Sequence, residues 1–137
     1  MASPPRLHAL LDRIGEETAH LRRLSVLTLE ELEPDLIASV KYRFVVAIEA
    51  SIDAARHVGV SSGLRGATDF ADSFVVLGEA GYLEADLVAR LKGMAGFRNL
   101  LVHGYAEVDD TRVVEILQTR LDDLDAFRRA IARAAEG

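Results

Sequence analysis

The sequence predicts an all-α fold, a single domain of about five helices packed as a bundle. Apolar residues recur at three- and four-residue intervals through most of the chain. No stretch alternates with period two for long enough to make a strand, and the turn residues gather in a few short clusters. Short connections of that kind make neighbouring helices pack against one another. The 137 residues form one domain, 1–137, long enough to bury a core and free of internal repeats or linkers.

Pro4 and Pro5 punctuate the start of a first helix, whose apolar positions Leu7, Leu10, Leu11, Ile14, Leu21 and Leu24 carry it to about Leu27. Arg22 and Arg23 near its end suit a helix C-terminus, where cations offset exposed carbonyls. Pro34 opens the second helix, with Leu36, Ile37, Val40, Phe44, Ile48, Ile52 and Ala55 as one stripe and Gly59 closing it. On its flank Glu49, Asp53 and His57 recur every four residues. Such a row could hold a metal, but it lacks a fourth donor; a solvated face or an ion-pair ladder is the favoured reading.

Ser61 to Gly66 is a turn. Its Gly63 and Gly66 have neither the preceding strand nor the following Gly-Lys-Ser/Thr of a phosphate loop. Thr68 and Asp69 start a short third helix holding Phe70, Phe74, Val75 and Leu77, which Gly81 ends. The fourth helix runs from about Glu84 to His103 with Leu87, Leu91, Met94, Phe97 and Leu101 inward. Gly93 and Gly96 interrupt it, each at a cost of ~1 kcal/mol against alanine. They are either tolerated defects or places where another helix, or a partner subunit, comes close. Asp109-Asp110-Thr111 caps a fifth helix with Val113, Leu117, Leu121, Leu124, Phe127 and Ile131 on one face.

Composition excludes several function classes. There is no cysteine, hence no disulfide framework and no thiolate chemistry. The four histidines, His8, His20, His57 and His103, have no ligand-like spacing, so neither a metal nor another cofactor is expected. No apolar run approaches the ~18–20 residues of a membrane span, and the start lacks the pattern of a secretory signal. A soluble cytoplasmic protein is the expectation. The net charge of −6 gives no general attraction to nucleic acid, so any RNA contact must come from a local basic pocket.

The chemistry concentrates in Phe97-Arg98-Asn99-Leu100-Leu101-Val102-His103-Gly104-Tyr105, where an apolar helix suddenly carries an arginine, a histidine and a tyrosine. Arg98 and His103 stand roughly 140° apart around a helix axis. They can serve one site if the helix frays near Gly104, or if the site is a cleft shared with a second surface. Both are the right types for RNA cleavage. Histidine titrates near ~6.5 and can carry a proton either way, and the arginine fork matches phosphate oxygens. One histidine cannot easily be base and acid in the same step. Two copies around a two-fold axis would solve this, so the chemistry predicts a homodimer. Against it stands a plainer reading, in which Arg98 makes a surface ion pair and His103 caps helix carbonyls.

The Arg-x4-His-x-Tyr pattern of Arg98, His103 and Tyr105 resembles that of the HepT toxins, small helical ribonucleases of the HEPN superfamily. The resemblance extends over 41–127. It includes Ile52-Asp53-Ala54-Ala55-Arg56-His57, Val76-Leu77-Gly78-Glu79-Ala80-Gly81-Tyr82-Leu83, and Leu91 through Tyr105 with the Asp-led helix beyond. It implies the toxin of a two-gene toxin–antitoxin module, a homodimer that cuts RNA without metal. Arg98 and His103 would be the catalytic pair, and Asn99 would orient the site. It also implies a minimal nucleotidyltransferase as antitoxin partner, which adds AMP to Tyr105. Phosphate placed there would compete with RNA for Arg98 and block entry. The alternative of another class is a catalytically inactive HEPN dimer, serving as the nucleotide- or RNA-binding subunit of that nucleotidyltransferase.

Overall fold

A computed structural model describes residues 4–104 and 107–136. Among them are six helices and no strand: α1 (Pro4–Leu24), α2 (Pro34–Ser61), α3 (Phe70–Glu79), α4 (Ala85–His103), α5 (Asp110–Thr119) and α6 (Leu121–Glu136). The all-α expectation holds, with one helix more than the five expected.

The additional helix comes from a break at Arg120, which splits the expected fifth helix in two. No glycine or proline marks it. Arg120 leaves the helical region at φ −118° and ψ 0°, while the Thr119 hydroxyl donates to the Glu115 carbonyl at 2.6 Å. Such back-bonding bends helices. The chain then restarts with Asp122 and Asp123 in the first turn of α6. The corner keeps Leu117, Leu121, Leu124, Phe127 and Ile131 all buried.

Two other ends differ from the periodicity. α1 stops at Leu24 rather than near Leu27, because Ser25 turns back and its hydroxyl donates to the Arg22 carbonyl at 2.7 Å. α2 runs two residues past Gly59 and closes at Gly63, whose φ of +70° suits a residue without a Cβ. There the Leu64 N–H donates to Gly59 and the Gly63 N–H to Val60, the Schellman pairing. Gly81, at φ +85°, ends α3 in the same way, with Tyr82 donating to Leu77 and Gly81 to Gly78. At the starts, Pro34 occupies the first turn of α2, and the carboxylates of Asp69 and Asp109 accept from the backbone of Asp72 and Thr111.

α2 is the hub: it packs on α1, α3, α4, α5 and α6. Its Phe44 meets Phe97 of α4 edge to face at 5.3 Å, and Phe74 of α3 meets Phe127 of α6 the same way at 5.4 Å. Four of the five phenylalanines are thus tied pairwise across the core. Polar ties close the outside. Beyond its place at the C-terminus of α1, Arg22 reaches Asp122 at 2.7 Å and also bonds Asp125, joining α1 to α6. Lys41 of α2, only 8% exposed, holds Asp110 at 2.9 Å where α5 begins. Arg65 bonds Asp72 and Glu79, fastening the 62–69 loop to α3.

Candidate functional site

The Phe44–Phe97 contact fixes the rotation of α4, and the residue after Phe97 therefore turns toward α2 and α3. That residue is Arg98. Its Nε and Nη2 both donate to one oxygen, Oε2 of Glu49, at 2.9 and 2.7 Å. Its Nη1 donates to the Asn99 side-chain carbonyl at 3.1 Å. The guanidinium carbon lies 4.9 Å from the centroid of the Phe70 ring at the start of α3, close enough for a cation–π contact. The Arg98 side chain is 14% exposed and that of Glu49 43%. The arginine is thus clamped on three sides and opens onto a depression of about 230 Å³ lined by Glu49, Ile52, Asp53, Arg56, Phe70 and Arg98.

His103 is the last residue of α4, exposed, with no side-chain hydrogen bond or ion pair to any described residue. The helix does not fray before it: the Gly104 N–H donates to the Leu100 carbonyl at 2.8 Å. Arg98 and His103 therefore keep their ~140° of separation, and one chain does not bring them face to face. Tyr105 lies outside the described residues.

The side of α4 that carries His103 is open. Gly93, Gly96, Leu100 and His103 fall within about 80° of arc. All but His103 are apolar, and Leu100 is 42% exposed. A Cβ built at Gly93 or Gly96 would meet nothing within 4 Å. Among the described residues, then, nothing presses on either glycine, and the close helix approach considered from sequence is absent within one protomer.

Glu49 and Phe70 are the site residues that sequence reasoning missed. Glu49 belonged to the four-residue row with Asp53 and His57, read as a solvated face or a ladder along one helix. It is partly solvated, but its ion pair crosses to α4, 49 positions away, instead of running along one helix. Among the described residues no three His, Asp or Glu side chains converge as a metal site would require. Phe70, placed from sequence only on the third helix, is half-buried and backs the guanidinium. No described helix is long and apolar enough to cross a membrane.

A six-helix bundle with Arg-x4-His at the end of its fourth helix is a HEPN-type domain, and comparison with solved structures gives the same class. The chain belongs to the ribonuclease HepT-like family, whose model matches residues 14–131. It is 35% identical over 79 residues to the mRNA nuclease HepT of Shewanella oneidensis, a match spanning 58% of this chain and 59% of that protein. It is 26% identical over 134 residues to the tRNA nuclease HepT of Aphanizomenon flos-aquae, covering 93% and 88%. The structure superposes with a TM-score of 0.86 on the tri-AMPylated Shewanella oneidensis HEPN toxin in complex with its MNT antitoxin, at 26% identity over 93% of this chain and 97% of that one.

Proposed function

We propose that this chain is the toxin of a toxin–antitoxin pair, an endoribonuclease that works without metal as a two-fold dimer. The observation that carries the reading is the clamped Arg98. An arginine held by Glu49, Asn99 and Phe70 presents its remaining N–H groups in one orientation, and pre-set charge is what a phosphorane-like transition state needs. The exposed His103 on the open face of the same helix would meet Arg98 of the second copy in a cleft that the two chains share. Two histidines then divide the work. One takes the ribose 2′-hydroxyl proton as that oxygen attacks phosphorus, and the other protonates the departing 5′-oxygen. The products are a 2′,3′-cyclic phosphate and a 5′-hydroxyl. Asn99 orients the guanidinium.

The family match and the relatives described as HepT nucleases and as a toxin with an MNT antitoxin support this reading. They also support a nucleotidyltransferase partner that adds AMP to Tyr105, two residues beyond His103. Bulk and negative charge there would stand in the way of RNA phosphate.

The test is growth after induction of the wild type, Arg98→Ala and His103→Ala, with total RNA run on a denaturing gel. Arrest with new RNA ends in the wild type alone is the expected result. Intact RNA and unimpaired growth from folded, dimeric wild type would turn the reading to the inactive binding subunit. Tyr105→Phe should stay toxic and escape modification; neutralisation of that variant by the partner would remove AMP addition from the mechanism.

A further inference from the structure

Arginines gather at a second place, on the other flank of α4. A groove of about 250 Å³ between α4 and the α5–α6 corner has Met94, Phe97 and Ile116 as its floor and Arg90, Arg112 and Arg120 at its rim. The floor residues are buried and the three arginines exposed. Arg90 donates through Nε to Asp123 at 2.8 Å, leaving its two Nη groups without a described partner. Arg112 bonds Glu115, and both side chains are more than half exposed, so that pair is worth little in water and yields to a better anion. Arg120 has no side-chain partner among the described residues. Three cations thus face one groove, against two carboxylates, in a chain whose net charge is −6.

Size narrows the ligand. Self-contained small-molecule pockets span ~300–1,000 Å³, and this groove is below that range, so it fits a segment of a longer molecule. Gly93 forms part of its wall, and a Cβ there would meet nothing within 4 Å, which leaves the helix backbone accessible. From Gly93 to His103 is about 15 Å along the helix axis, a distance that a few nucleotides of single strand can cover. Phe97, on the floor, is the residue before Arg98.

We infer that this groove is a second RNA contact, in which Arg90, Arg112 and Arg120 take phosphodiesters flanking the one that is cut while a base or ribose rests on Met94, Phe97 and Ile116. The inference rests on the RNA-cleaving reading above. It also answers how an acidic protein holds a polyanion: the attraction is local, from an arginine rim, and extends the grip beyond Arg98.

The experiment uses full-length protein carrying His103→Ala, which leaves RNA uncut, and a fluorescein-labelled single-stranded RNA followed by anisotropy over a salt series. Arg112→Gln and Arg120→Gln are compared with Arg98→Ala and with Arg133→Gln, an exposed change of equal charge near the end of α6. Circular dichroism establishes that each is folded. Each groove variant should lose about fivefold in affinity at 0.1 M salt and flatten the log–log salt slope by ~0.7, the value for one single-strand phosphate contact. Arg133→Gln should do neither. Groove variants that bind like the parent, while Arg98→Ala binds more weakly, would overturn the groove and leave the cleavage site standing. An equal loss in Arg133→Gln would reduce the effect to bulk charge and overturn it too. No RNA binding by the His103→Ala parent would overturn both readings.

Discussion

Gly96 offers a perturbation whose two consequences have opposite signs. Within one protomer, a Cβ at this position meets nothing within 4 Å and Gly96 is exposed, so Gly96→Ala adds helix propensity without obstruction and the longer Gly96→Leu side chain starts out toward solvent. The gain is ~1 kcal/mol, about a fivefold shift in the unfolding equilibrium, or ~3–5 °C in Tm for a domain of this length. In a dimer whose protomers meet on the open face of α4, the leucine stands in the interface. Overpacking costs ~1–3 kcal/mol at one site and acts twice by symmetry. The dimer dissociation constant should then rise by roughly 30-fold to 2 × 10⁴-fold. Because dimerisation stabilises by mass action, the order of stability should invert with concentration. Dilute Gly96→Leu should melt above the wild type, and concentrated Gly96→Leu below it. Thermal melts over a wide range of protein concentration, with sedimentation equilibrium at each end, measure both terms. A leucine variant that sediments as an unperturbed dimer and cuts RNA normally would refute the reasoning, because Arg98 and His103 would then have to meet through some other surface.

Glu49→Ala should slow single-turnover cleavage of cellular RNA about tenfold, since a charge-assisted bond at the weak end is worth ~1.5 kcal/mol and the half-exposed carboxylate is partly screened. Glu49→Gln, which keeps an acceptor, should recover part of the loss; faster cleavage by Glu49→Ala would make the carboxylate a competitor of phosphate instead. Gly78→Ala should cost ~1–3 kcal/mol in urea unfolding, because its Cβ would stand 2.7 Å from Cγ2 of Val88, on a side chain stiff at χ1. An unchanged midpoint would mean that α3 and α4 have slack where they meet. Arg65 and the Thr68 amide hold the Asp72 carboxyl well below the usual carboxylate range. The unfolded group titrates near ~3.9, so this contribution is whole above that pH and is lost only as pH falls toward the depressed folded value. Hydrogen exchange at Thr68 should accelerate in that acid window, and a loop that loosens between pH 5 and 7 instead would contradict the assignment.

What was legible in the sequence is what local chemistry controls. Pro34, Asp69 and Asp109 start helices because a proline suits a first turn and a short carboxylate can accept from free backbone N–H groups. Gly63 and Gly81 end helices because the turn needs positive φ. The corner at Arg120 left no such mark: it has no glycine or proline, and the Thr119 hydroxyl that bonds back to Glu115 looks in sequence like any threonine on a helix. The site divided the same way. Arg98, Asn99 and His103 lie together on one helix and could be singled out by type and spacing. Glu49 belongs to the site only through the crossing of α2 and α4, and a four-residue acidic period on α2 looks the same whether or not an arginine faces it. The open face of α4 was half visible, as two glycines with a cost and no evident use.

The docking of α6 on α1 also sets a timetable. Leu7, Ile14 and Leu21 are made first, yet their burial is completed by a helix that begins about a hundred residues later. At ~5–20 residues per second the ribosome takes roughly 5–20 s to cover that stretch. Throughout that time the inner faces of α1 and α2 lack the partner that closes them. A nascent chain that stops short of α6 is a set of amphipathic helices whose apolar faces lie open to chaperones.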